Sequence, residues 1–109
     1  MTVNTPRIFS QLMPSNIEIP TVLYTVPVNT RAQVTMFVCN QSSDVEFFRI
    51  ALVPFGGTLI DARYVAFDSP LAGNGVFSMS GIGLSQGDSI HVRSNFGRLS
   101  FTATGLQLS

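Results

Sequence analysis

The chain has 109 residues, enough for one domain whose core needs no metal or disulfide staples. Hydrophobic residues make up 45% of it and charged residues 11%, against about 25% in an average soluble domain, and six arginines balance six acids with no lysine. This composition argues against disorder and against a nucleic-acid partner, which needs a basic patch, while the scarcity of charge points to a chain packed against neighbours in an assembly.

Residues 1–20 differ from the rest. Pro6, Pro14 and Pro20 cut them into short pieces, and each proline removes a ladder donor. They read as an extended arm in which "RIFSQLM" is a short edge strand, with Ile8, Phe9 and Leu12 as its contact residues. The arm either closes the domain's own sheet or reaches across to a neighbouring subunit. No basic stretch leads into an unbroken apolar one, so no signal peptide is expected. No apolar run approaches the roughly 20 residues of a membrane span, so synthesis in a cytoplasm is the simplest reading.

From Thr21 a strand rhythm begins and continues to the end. "TVLYTV" stops at Pro27. "AQVTMFVC" sets Ala32, Val34, Met36 and Val38 against Gln33, Thr35, Phe37 and Cys39, with the lone Cys39 read as a small buried hydrophobe. "VEFFRIALVP" sets Glu46, Phe48, Ile50 and Leu52 against Val45, Phe47, Arg49, Ala51 and Val53. Neither face of that strand is polar, which predicts cover on both sides. "LIDARYVAF" follows, then the loop "DSPLAGNG", the strand "VFSMS", the turn region "GIGLSQGD" and the strand "SIHVRS". In "LSFTATGLQLS", Leu99, Phe101 and Ala103 share a face, but the apolar set then moves to Leu106 and Leu108, a slip that a bulge or bend at Gly105 explains. Seven or eight strands without a helix make an all-β domain over 21–109, a single antiparallel β-sandwich of jelly-roll or immunoglobulin-like type.

The side chains of a hydrolase triad cluster in "GDSIHVRS". On a strand, Ile90 and Val92 point to the core while Ser89, His91 and Arg93 point out, and Asp88 faces away from His91. Ser89 and His91 share a face but stand about 6.6 Å apart along the strand, too far for direct activation. A carboxylate from a neighbouring strand (Asp44, Glu46, Asp61 or Asp68) is still required to complete a site. One histidine and one cysteine cannot make a zinc site, and no cofactor is expected. Asp61 and Asp68 read as turn residues rather than cation ligands. "NQS" at Asn40 matches a glycosylation sequon, a motif too common to weigh.

The order of "LYTVPVNTRAQVTMFVCNQSS", "FFRIALVPFGGTL", "RYVAFDSPLAGNG", "GLSQGDSIHVRS" and "LSFTATGLQLS" resembles a family of small virion structural proteins of tailed bacteriophages, over about residues 21–109. The resemblance implies a non-enzymatic role in a virion: a capsid cement or decoration protein, or else a tail, neck or fibre module that recognises glycans. It implies a homo-oligomer, with a trimer favoured, and contacts with other virion proteins such as the major capsid protein. Val45, Phe47, Arg49 and Val53, with the outward pair His91 and Arg93, are the expected interface beside the arm. The alternative is that the chain's own arm covers that face.

Overall fold

In the computed structural model, residues 4–14 and 18–108 are described. The parts of the expected arm at 1–3 and 15–17 lie outside the described residues. The strands are β1 (Asn4–Leu12), β2 (Thr21–Thr25), β3 (Arg31–Asn40), β4 (Glu46–Val53), β5 (Tyr64–Leu71), β6 (Val76–Leu84), β7 (Ser89–Ser94) and β8 (Leu99–Leu108). A single 3₁₀ turn, Asp61–Arg63, precedes β5.

The strands form two four-stranded antiparallel sheets, ordered β1-β8-β3-β6 and β2-β7-β4-β5. First pairs with last, second with seventh, third with sixth and fourth with fifth. That nesting is a long hairpin rolled up on itself, which makes the sandwich a jelly roll. Alternation fills the space between the sheets as the sequence leads one to expect. Val34, Met36 and Val38 from one sheet and Ile50, Ile90 and Val92 from the other are at most 1% exposed.

One open alternative is resolved and two expectations about elements are corrected. First, residues 4–12 are an edge strand hydrogen-bonded to β8, so of the two alternatives this part of the arm closes the domain's own sheet. Phe9 is the extra residue of a bulge between Ile8 and Ser10 and stacks on Tyr24, with ring centroids 4.6 Å apart. Leu12 packs against the core. Phe9 and Leu12 are therefore used within the chain, and only Ile8 stays exposed. Second, the strand expected at 59–67 lies at 64–71. Its "SP" looked like a loop, yet β5 is a sheet edge, where Pro70 leaves no ladder bond unmade. Third, β6 runs on through Gly81, whose φ of +77° carries the register shift against β3. Cys39, expected to be buried, lies on the outer face of its sheet and is only half-buried.

Glu46 begins β4 with its side chain turned inward at 1% exposure. Neither carboxylate oxygen has a hydrogen bond, and the nearest cation, Arg98 Nη1, is 3.9 Å from Oε2. A buried carboxylate without donors is costly, because dehydration is not offset by close pairing. Glu46→Met should therefore stabilise the fold, by about 1–3 kcal/mol, since half-exposed Arg98 still reaches Asp44 and is not left as a buried charge. Urea unfolding of the two proteins side by side measures it. A destabilised variant would mean that the carboxylate carries a structural role that this geometry does not contain.

Candidate interaction face

The outer face of the β2-β7-β4-β5 sheet gathers most of the residues expected to make contacts. Antiparallel pairing sets Arg49 directly opposite Arg93, and Ala51 opposite His91. Phe47 is 41% exposed and Val45 52%. Val22, paired with His91, and Phe67 on β5 add further exposed apolar surface. Val53 does not belong to this set. It is 4% exposed and, like the fully buried Ala51, lies at the end of β4 against which the 3₁₀ turn packs. The expected cover on both faces of β4 thus holds for its second half, while the half bearing Phe47 and Arg49 is open.

Arg49 is held in place from two sides. Its Nε and Nη2 donate to Oδ1 and Oδ2 of Asp68 at 2.6 and 3.0 Å, a bidentate fork. Its guanidinium carbon stands 3.8 Å from the centre of the Phe67 ring. Asp68 reaches this position through local backbone geometry: β5 has an irregular register against β4 here, and Asp68 itself has φ of +48°. The Arg49 hydrogen bond, followed by the charges of Arg49 and Arg93, holds the Asp68 carboxyl below its usual value. Asp68 is thereby committed to an arginine rather than to the cation site considered with Asp61. Phe47, Arg49, Asp68, Arg93 and Asn95 line an open concavity of about 420 Å³. Asn95 frames it by accepting a hydrogen bond from the Phe47 backbone at 2.9 Å.

Beside this concavity, Ser89 Oγ and His91 Nε2 are 3.0 Å apart. The expectation that these two groups stand too far apart is wrong. The rise between their Cα atoms is as expected, but same-face side chains lean along the strand, and the imidazole spans the remainder. The pair is a hydroxyl and a base in contact. Among the described residues, Ser89 is the hydrogen-bond partner of His91, and none of the four carboxylates named above bonds to the pair. Asp88 is occupied elsewhere, accepting from the backbone N–H groups of Phe55 and Ser85. Among the described residues no three His, Cys, Asp or Glu side chains converge as a metal site.

Burial holds the His91 pKa below its ordinary value of 6.5. The unfolded chain therefore takes up the proton first as pH falls. The stabilising contribution is complete above about pH 6.5 and is lost as pH drops through the lower folded value. His91→Gln should lessen the loss of stability between about pH 7.5 and about pH 5, as read by urea unfolding at each pH. An unchanged pH dependence would mean that His91 is solvated in solution.

The class that fold and face define is a jelly-roll β-sandwich with one partly apolar, arginine-bearing sheet face open to contact. No family model matches the chain, and no curated protein matches it. Among solved structures, it is similar to "Structure of infectious bursal disease virus Gx strain", at 14% identity and a TM-score of 0.46. The match covers 99% of this chain, which spans 31% of that one.

Proposed function

We propose that this protein is a non-enzymatic structural component of a phage virion, of the capsid cement or decoration type. The observation that carries the reading is the open sheet face around Phe47, Phe67, Val22 and Val45, in a chain whose charge content is 11%. Exposed apolar surface clustered round a few polar anchors marks a protein contact site. The jelly roll suits the role, since it recurs in capsid domains, although fold alone does not assign function. The family resemblance over residues 21–109 points the same way. In this reading the protein acts as a small homo-oligomer, a trimer by preference, on a lattice of other virion proteins. It stabilises the particle by binding the assembled shell and not its separated subunits.

A second reading, a tail, neck or fibre module that binds glycans, is favoured by one feature: the concavity beside Phe47 has a ligand-sized volume of about 420 Å³. One experiment separates the two. Particles assembled without the protein are heated with and without purified protein, and genome release is followed by dye fluorescence. A cement protein raises the release temperature, and the Phe47→Ser, Phe67→Ser double variant does not. No shift with the wild-type protein would sink the cement reading, and glycan-array binding would then support the second.

A further inference from the structure

Resting on the reading that copies of this chain associate, we infer that the free edge of β6 is where two copies meet, paired antiparallel about a two-fold axis at Phe77. Four strands end the two sheets: β1, β6, β2 and β5. An open edge offers unmade backbone hydrogen bonds to any extended chain, and proteins blunt it with charge, proline, bulges or shortness. β1 carries Pro6, Arg7 and the Phe9 bulge. β5 carries Pro70 and the positive φ of Asp68. β2 has five residues and a register shift. β6 runs for nine residues with neither charge nor proline, and no charged residue stands anywhere from Ser69 to Gly87. Its one irregularity, at Gly81, comes after an unbroken run of pairs with β3 from Val76 to Met79.

Ladder parity identifies the free groups. The Asn40 N–H donates to the Gly75 carbonyl on the β6 side, and the Gln41 N–H to the Arg98 carbonyl on the β8 side. Bonded pairs alternate along an antiparallel ladder, so Phe77 and Met79 face β3 while Val76 and Ser78 turn their N–H and C=O groups to the open edge. Among the described residues, no turn or loop backbone bonds to them. A second copy fits this edge because the edge is complementary to itself. With the axis at Phe77, Val76 of each copy lies opposite Ser78 of the other, and each outward donor meets an acceptor. The Phe77 rings, half-buried and packed against Phe48 at 5.0 Å, then meet across the axis and cover one another. No charge on the strand opposes its own copy. The contact is two-fold, so it adds to a trimer rather than building one.

The test uses the whole protein as wild type, as the double variant Val76→Lys, Ser78→Lys and as the double variant Val76→Glu, Ser78→Glu. Both side chains are exposed on the outer face, and each variant is first shown to melt at the wild-type temperature. Light scattering across a concentration series gives the mass, and hydrogen exchange follows single amides. Like charges directly opposite should weaken the self-association of each variant about tenfold or more, and mixing the two variants should restore it. The Val76 and Ser78 amides should gain protection as wild-type concentration rises, while the Phe77 amide, bonded to β3, is protected throughout. If the wild type and both variants associate equally, the edge inference is overturned and the homo-oligomer reading stands. If the variants dissociate but mixing restores nothing, pairing across this axis is overturned. A wild type that stays monomeric overturns the inference together with the homo-oligomer reading, while the cement role is judged separately by the release temperature. Protection of Val76 and Ser78 only on particles would overturn the second copy in favour of a strand from another virion protein.

Discussion

Gly105→Ala is expected to abolish folding or to cost about 4 kcal/mol or more, a large part of the stability of a domain this size. Gly105 sits in β8, the strand hydrogen-bonded to both β1 and β3, with φ of +150°. A Cβ there would overlap the carbonyl oxygen of Gln33 on β3, a backbone atom that cannot turn aside as a side-chain end could. Relief requires β8 to part from β3, whose pairing with it runs unbroken from Arg31↔Leu108 to Asn40↔Leu99. Gly83→Ala is the matched control, because a Cβ at Gly83 meets no atom within 4 Å. Circular dichroism melts should show Gly83→Ala near wild type and Gly105→Ala without a cooperative transition. A folded Gly105→Ala protein of normal stability would mean that the two strands are less tightly apposed than described.

The second large effect is expected at Asn40. Its side chain is 1% exposed and its amide nitrogen donates toward the carbonyls of Asp44, Leu71 and Ala72 at 2.8, 3.0 and 3.2 Å. Its oxygen accepts from the backbone N–H and the hydroxyl of Ser42 at 2.9 and 2.8 Å. One amide thus ties the β3–β4 turn to the β5–β6 turn. Asn40→Ala would remove all five contacts inside a closed space. The expected loss is about 3 kcal/mol, because buried groups left unmatched cost more than a net hydrogen bond returns. Asn40→Asp should cost at least as much at neutral pH, since it turns an oxygen toward three carbonyls. Urea unfolding gives the loss, and hydrogen exchange at the Asn74 and Gln41 amides locates it. The same burial speaks against glycosylation of the folded chain at this sequon.

What could be read from the sequence was periodicity. Met36, Val38, Ile90 and Val92 fell on core faces because alternation is local and a strand obeys it whatever its neighbours. The Gly105 slip showed as a phase change, and the structure has no bulge there in the pairing with β3: β8 runs on in register with Gly105 at φ of +150°, and Leu106 is left exposed. Features that depend on pairing across the sandwich were not visible. The Arg49–Asp68 fork joins residues 19 apart through the register of two strands and a positive φ on Asp68. Val53 has the same alternation as Phe47 yet is 4% exposed, a difference that alternation alone does not carry. The Ser89–His91 contact was missed because strand rise measures backbone spacing, not the reach of side chains. Alternation put Glu46 on one face with Phe48 and Ile50, but that this face is the inner one, and that the carboxylate lacks partners there, became clear only with the sheet packing. Pro70 marked a loop in sequence, while its position on an edge strand became clear only with the sheet order.

The nested pairing also has a temporal consequence. The Arg7 guanidinium bonds Gln107 across 100 residues of chain, and β1 has no partner in its sheet until β8 exists. During synthesis β1 must wait, unpaired in its sheet, until β8 has been made. Distant pairings carry the full entropy of loop closure before they return any stability, so folding should be slow and late. Through that interval the edges of β1 and β3 that β8 will join are open to other chains. Until β8 is made, the domain therefore passes through a stage in which premature pairing with other chains is its main hazard.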